Sequence, residues 1–433
     1  CYMDADALGS SDMANASVYS KYPLRKKYPQ HKAGENTLRG MGIIDPEGNV
    51  AAANYMCIYV GDYDSSAWLY QKLPSMWDDP VRGRIPLGWA VNPNLARRVA
   101  FGMDYMRRFA TQADSFVAGD SGAGYINPGS LAEPRKYSLL PDGTDAWLRH
   151  CRKWYGRFDI SVTGFIIDGH APEMTEDILD AYMEFSPDGI GGQKLPSGTG
   201  VYKDRMPYKT MGDGNKFDDA RRIAEFRRGE LSFLYLRNIQ WKPEKQLEYM
   251  KEVKKNNPDA VFLGPYEFFA LIKYHTEHPD KVKYSRINLF RLPGIEITGS
   301  SPMHPRSDIR DLFGAESSQT EPSAALFADA EEDFVHYVDF RMPKPAPVKR
   351  VVLTLRSDTD SLNRSIKSFR LLAGDSPGSL KEIIYEDTEP WEFRERFEFE
   401  LPEPVTAGCY RAEFVQPGVK PGPRLLELEA YGE

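Results

Sequence analysis

The hydrophobic pattern changes character near residue 300, and that change limits the folds open to this chain. Between residues 54 and 265, short apolar runs alternate with amphipathic stretches of helical period. The runs are 54–61, 85–91, 115–119, 160–167, 188–193, 231–239 and 260–264. Short runs that are apolar throughout suit strands buried on both faces. In the stretches between them, Asn92-Pro93 precedes Leu95, Val99, Met103 and Met106 at spacings of three and four. Thr175 is placed to cap a helix carrying Ile178, Leu179 and Tyr182. Pro243 suits the first turn of a helix with Leu247, Met250 and Val253. Buried strands alternating with helices make a parallel sheet. The expected class is therefore α/β, a (β/α) TIM-like barrel with any missing strand at its edge or upstream. A doubly wound open sheet is the alternative.

After residue 300 the period becomes two. Segments 336–340, 350–356, 368–373, 396–401, 410–415 and 425–431 alternate polar and apolar residues, and Pro- and Gly-rich stretches such as Pro343-Lys-Pro-Ala-Pro347 separate them. Short strands without helices predict an antiparallel β-sandwich. Gly299-Ser-Ser-Pro302 and His304-Pro305 mark the junction. The expected domains are 1–300, opening with a polar, turn-rich segment 1–50, and 306–433.

Composition removes several classes. The 433 residues carry a net charge of −8, against the basic face that nucleic-acid binding needs. A mean hydropathy of −0.52, with no long apolar run, predicts no membrane-spanning helix. Cys1, Cys57, Cys151 and Cys409 have neither metal-ligand spacing nor the density of a disulfide scaffold. The chain reads as a fragment whose upstream part is absent, and it shows no signal peptide. Aromatic residues reach 12%, enough either to stack on sugar rings or to build a large core.

In a parallel barrel, chemistry sits where strands end. Here those ends are acidic: Asp62 and Asp64 after the first run, Asp120 after the third, Asp168 with His170 after the fourth, and Glu267 after the last. Converging carboxylates repel, raising the pKa of one while another stays ionised, as acid/base catalysis requires. Each Asp alone also suits a helix cap or turn. Gln193 ends the fifth run. Gly122, Gly124, Tyr125 and Asn127 form a glycine-rich loop after the third, where backbone can approach a ligand closely. Trp89 and Trp241, near strand ends, are candidate sugar platforms; core packing is the plain alternative. Ser121 in Gly119-Asp120-Ser121 invites a serine-hydrolase reading with His150 or His170 as base, but Ala123 stands where the nucleophile elbow needs Gly. His275-Thr-Glu-His278 reads as a helix C-terminus. The stretch 194–219 is a candidate lid or binding loop.

Gly122-Ala123-Gly124-Tyr125-Ile126-Asn127-Pro128 resembles the signature of the GxGYxYP family of putative glycoside hydrolases, with Asn127 where the signature has Tyr. Gly61-Asp62-Tyr63-Asp64-Ser65 is similar to the family's Ser-Asp-Gly-Asp-Asn stretch and keeps both acids. Arg82-Gly-Arg-Ile-Pro-Leu-Gly-Trp89 resembles the family segment between the two. The resemblance covers roughly 1–290 and implies a sugar-processing barrel. The tail resembles a discoidin-type, galactose-binding-like sandwich, through Phe369-Arg-Leu-Leu-Ala-Gly-Asp-Ser and its closing segment 424–432, and the resemblance implies a jelly-roll.

The expected function is a glycoside hydrolase acting on an oligo- or polysaccharide through two carboxylates. The catalytic candidates are Asp62, Asp64, Asp120, Asp168 and Glu267. Trp89, Gly122, Gly124, Tyr125, Asn127, His170, Gln193 and Trp241 are the substrate-binding set. No cofactor is expected. In an alternative reading, a metal-assisted hydrolase or deacetylase, Asp62 and Asp64 with His170 hold a divalent ion. In another, the chain binds glycan without catalysis. The expected partner is carbohydrate, and the expected location is secreted, periplasmic or cell-surface.

Overall fold

The computed structural model describes residues 16–63, 66–119, 121–124, 126–133, 135, 138–166, 174–192, 198–210, 231–238, 241–283, 288–292, 294–305, 307–313, 325–355, 366–387, 396–416, 418 and 422–432. The chain divides into two compact units, Cys1–Lys283 and Tyr284–Glu433.

The first unit is built on a mostly parallel sheet. Its strands follow a two-residue strand β1 (Val50–Ala51): β2 (Asn54–Tyr63), β3 (Leu87–Val91), β4 (Asp114–Gly119), β5 (Val162–Ile166), β6 (Gly189–Gly192), β7 (Thr199–Tyr202), β8 (Met206–Thr210), β9 (Ser232–Arg237) and β10 (Val261–Leu263). Neighbours run β2-β3-β4-β5-β6-β8-β7, with β9 and β10 both on β2. β1 pairs apart, in parallel, with β11 (Val282–Lys283). All seven apolar runs became strands. The helices Glu176–Phe185 and Pro243–Asn256 lie where the spacing puts them, and Thr175 Oγ1 caps the first of these by accepting from Ile178 N–H. The stretch opened by Asn92-Pro93 divides into a 3-10 turn, Pro93–Arg97, and the helix Ala100–Arg108, so Leu95 and Val99 lie outside the α-helix that carries Met103 and Met106.

Two layers cover the sheet. On the outer face, Met56, Ile58, Val60, Leu87, Trp89 and Phe116 pack against the connecting helices in one core. On the inner face, Tyr55, Cys57, Tyr59, Phe233 and Tyr235 meet a single helix, Pro265–Glu277, through Phe268, Phe269 and Ile272. Rings fill this interior: Tyr235 stacks on Phe268 at 5.7 Å and meets Tyr59 edge-on at 6.2 Å. They fit because β5 and β6 carry glycine opposite them. A Cβ at Gly191 would stand 2.2 Å from Tyr235 Cε1, and one at Gly164 2.6 Å from Tyr59 Cδ2.

The expected TIM-like barrel is met in part. The sheet curls to a nearly closed, barrel-like form around that helix. Among the described residues no ladder joins β8 to β9, and β7–β8 is an antiparallel hairpin. That hairpin occupies part of the stretch read as a lid or loop. The polar segment 1–50 is also partly structural: Tyr28 is buried and donates to Asp104 at 2.6 Å.

The second unit is antiparallel: β12 (Glu296–Ser300), β13 (Ala325–Leu326), β14 (Val335–Leu355), β15 (Ser368–Gly374), β16 (Lys381–Asp387), β17 (Arg396–Val415) and β18 (Arg424–Tyr431). β14 and β17 run past the expected turns. Residues 335–341 of β14 pair with 409–415 of β17, and 350–354 pair with 396–400. One end of this pair joins β12 and β15. The other joins β18. The two long strands thus serve both layers of a sandwich, with Val338, Phe340, Val351, Leu353, Phe369 and Phe414 in its core.

Pro343, Pro345 and Pro347 mark where β14 changes layer rather than a turn. Proline has no N–H to give a ladder, and the register breaks between Arg341 and Ala346. Lys349 Nζ ties the corner by donating to Leu401 O at 2.6 Å and Pro402 O at 2.9 Å. The division at 283/284 comes earlier than the expected 300–306, because β12 pairs with β14 and belongs to the sandwich.

Candidate functional site

Five parallel strands in the order β2-β3-β4-β5-β6 release the chain at one edge of the sheet. Register confirms a common level there: Tyr63 lies beside Val91, Gly119 beside Phe165 and Ile166 beside Gly192. The expected carboxylates follow these ends in sequence. Asp62 is the penultimate residue of β2, and its carboxyl lies outside the described residues, as do Asp64, Asp120, Tyr125, Asp168, His170 and Gln193.

The ladders break close to this edge. Register shifts fall between Val60 and Tyr63, between Ala118 and Gly119, and between Thr163 and Ile166. Such bulges re-aim side chains and are common beside active sites. The first one falls within the last four residues of β2.

The glycine-rich loop is a tight structural turn. Gly122 N–H donates to Gly119 O at 2.9 Å, and Ser121 Oγ donates to Gly124 O at 2.9 Å while accepting from Ala123 N–H at 3.1 Å. The helix Thr144–Phe158 clamps it: Trp147 Nε1–H donates to Ser121 O at 3.0 Å. Gly122 has φ +78°, and a Cβ there would lie 2.3 Å from the Tyr155 hydroxyl. Glycine at 122 is therefore required by backbone and packing, not by a ligand. Gly124 has φ +84°. Ser121 is buried with its hydroxyl engaged within the loop, which does not suit a serine nucleophile. Asn127 Oδ1 accepts from Gly129 N–H at 3.1 Å and caps the turn Pro128–Ser130.

Three further candidates stand away from that edge or are already occupied. Trp89 is fully buried in the outer core, edge-on to Trp77, and its indole N–H donates to Asp114 at 2.8 Å. It is a core residue, not an open sugar platform. Glu267, in the first turn of Pro265–Glu277, lies under the start of β4. A Cβ on the adjoining Gly264 would be 2.4 Å from Glu267 Oε2 and 3.5 Å from Ser115 Oγ, and His31 Nε2 is 3.7 Å from Glu267 Oε1. That is the opposite end of the strands from the acidic positions. Trp241 is half-buried, with the Lys245 ammonium 3.5 Å from its ring centroid and Tyr249 edge-on.

A cavity of about 330 Å³ opens beside the glycine loop. Ala123, Ile126, Leu131 and Trp147 make its wall apolar, and Arg135, Asp142 and His150 bring polar atoms to it. Asp142 accepts from Thr144 N–H at 2.7 Å and from the Thr144 hydroxyl. Chiefly through that hydroxyl, its carboxyl is held below the usual range. His150 is pushed down by burial and then by the nearby Arg97 and Lys153 charges. Arg135 Nη1 donates to Pro141 O at 3.0 Å. No sequence motif marks this cavity. Its signal was the spacing of Trp147, Cys151, Trp154, Tyr155 and Phe158, which are the buried face of one amphipathic helix.

Residues 53–273, half of the chain, match the model of the GxGYxYP putative glycoside hydrolase C-terminal domain. The chain belongs to the GxGYxYP family. The matched segment of this GxGYxYP protein runs from the start of β2 into the helix Pro265–Glu277, so it takes in the acidic edge and the cavity. No curated protein matches it.

Among solved structures, one similar to it is a putative hydrolase from Bacteroides thetaiotaomicron, at 15% identity and TM-score 0.43, covering 61% of this chain and 51% of that one. Another is the family 32 carbohydrate-binding module of Streptococcus pneumoniae EndoD, at 18% identity and TM-score 0.27, covering 34% of this chain and all of that one. A third is the family 32 module of Clostridium perfringens NanJ in complex with galactose, at 12% identity and TM-score 0.25, covering 32% and 93%. Among the described residues, no helix of the GxGYxYP protein is long and apolar enough to cross a membrane.

Proposed function

We propose that this chain is a glycoside hydrolase whose working carboxylates come from Asp62, Asp64, Asp120 and Asp168, at the C-terminal edge of a TIM-like barrel. The observation that carries the reading is the shared edge: parallel neighbours end at one level, with their ladders broken there, and an acid follows three of those ends. Family membership supplies the substrate class. In this chemistry one carboxylic acid protonates the glycosidic oxygen while a second carboxylate acts as nucleophile or as base toward water. A separation of ~5–5.5 Å gives retention and ~6.5–9.5 Å inversion. Tyr125, His170 and Gln193 are assigned to sugar contacts, and the sandwich unit to holding the enzyme on carbohydrate outside the cytoplasm.

The test is release of reducing sugar from a panel of glycans by the full chain and by Asp→Asn variants at the four positions. Losing an acid or base is expected to cost about 100-fold or more at two of them, with the melting temperature kept. Cleavage abolished by chelator and restored by a divalent ion would favour the metal reading at Asp62 and Asp64. Binding without cleavage across the panel would leave a glycan-binding protein.

A further inference from the structure

The cavity beside the glycine loop holds two buried polar atoms without a hydrogen-bond partner among the described residues: Arg135 Nε and His150 Nε2. Buried polar groups are ordinarily satisfied, and leaving one unmade costs stability. Here the orphans stand beside an apolar wall of Ile126, Leu131 and Trp147, and the Asp142 carboxylate that shares the lining is already held by Thr144. Burial and the Arg97 and Lys153 charges favour neutral His150, which leaves one ring nitrogen free to accept. Arg135 Nε–H can only donate. A ligand matching this wall is flat and apolar over most of its surface, with one oxygen able to accept from the guanidinium or donate to the imidazole. At about 330 Å³ the space suits one or two fused rings rather than a chain of sugars.

We propose that this cavity binds a hydroxyl- or ether-bearing aromatic group, the chemistry of an aryl aglycone. In calling the group an aglycone the proposal rests on the hydrolase reading, and it names what lies on the leaving-group side of that site. The cavity wall includes Ala123 of the glycine loop, so an occupant sits against the turn that follows β4.

The test uses 2-naphthol as probe, titrated into the full chain by calorimetry with melting temperature as a second readout. Saturable binding is expected at about 1 mM or tighter. Ala146→Trp places an indole at the cavity mouth from an exposed helical position and is expected to weaken binding at least tenfold. His150→Leu keeps the wall, removes the ring nitrogen and is expected to weaken binding about threefold or more. Absence of saturable binding overturns the proposal. So does binding that neither variant weakens while both keep the native melting temperature. Cleavage assays separate the two readings. Probe binding that depends on Ala146 in a chain that cleaves no glycoside removes the aglycone and the hydrolase but keeps the aromatic site. Aryl glycosides cleaved equally fast by native protein and Ala146→Trp would remove the aglycone assignment alone.

Discussion

The two units bury their cores in different ways. In the first, most strands are short and apolar on both faces, and amphipathic helices connect β3 to β4, β4 to β5, β5 to β6 and β9 to β10. The information is local and repeated. In the second, strands of 21 and 20 residues pass between layers, and the sandwich depends on two corners far apart in sequence. Its outer face is polar and paired across strands, as where Arg411 grips Asp339 at 2.6 and 2.7 Å. A fold made of repeated local units tolerates damage between units and not inside the shared interior. A fold made of two long strands is most exposed where they bend.

The largest expected effect is therefore in the shared interior of the first unit. Gly191→Ala puts a methyl group 2.2 Å from the Tyr235 ring and 2.9 Å from the Gly164 carbonyl, and the backbone carbonyl cannot yield as a flexible side chain would. Overpacking of this kind costs about 3 kcal/mol. Calorimetry should show one transition lowered and the sandwich transition unmoved. A shift of both together would mean that the units do not melt separately.

Next comes Asp114→Ala. This buried carboxylate accepts from Trp89 Nε1–H at 2.8 Å, from Thr111 N–H at 2.8 Å and from Arg82 at 2.5 Å. Removing it takes away the counter-charge of the largely buried Arg82 guanidinium, which keeps its bonds to the Trp77 and Phe109 carbonyls, and the Asp114 acceptor of the Trp89 indole N–H, at a cost of about 3 kcal/mol, readable by urea titration. An outcome under about 1 kcal/mol would show that solvent reaches Arg82.

A smaller effect is expected at the corner of the sandwich. Lys349→Met leaves the alkyl stem and removes two hydrogen bonds to carbonyls, worth about 1–2 kcal/mol. The loss should appear in the sandwich transition alone, which tests whether the corner is the weak point of that unit.

The smallest effect is a pH dependence. His336 is buried beside Gln416, and burial lowers its pKa despite that hydrogen bond. The unfolded chain then binds the proton more readily than the folded one. His336 contributes full stability above its unfolded value of about 6.5, and that contribution falls as pH drops from there toward the folded value. The sandwich transition should lose melting temperature on acidification through that window, and His336→Gln should flatten the slope. An unchanged slope would move the effect to other groups.

Legibility followed the same division. The seven apolar runs and the capped helices of the first unit were readable because burial on both faces leaves an unbroken local signal. The hairpin β7–β8 was not, since it lies inside the Gly/Lys/Asp-rich stretch 194–219, which reads as a loop until β6 pairs with it. In the second unit the alternating segments were readable, but their joining into β14 and β17 was not. Proline signals a lost donor, and a turn and a layer change lose it alike. At the candidate site, the acidic positions after strand ends were legible because strand ends are local features. Which way a side chain faces was not, because alternation carries no direction in a strand buried on both sides. That is why Trp89, apolar among apolar neighbours, belongs to the outer core.

By itself the sequence determined the seven buried strands of the first unit, that one unit is α/β and the next all-β, and which strand ends carry acids. Those properties depend on residues within a few positions of each other. Only the tertiary structure decided that Glu267 lies under the start of β4, that Gly122 makes room for Tyr155, and that Trp147, Arg135 and His150 share one cavity. Each of these joins positions well separated in the chain. Such proximity depends on how far the sheet curls and where its ladders slip, which no local pattern encodes.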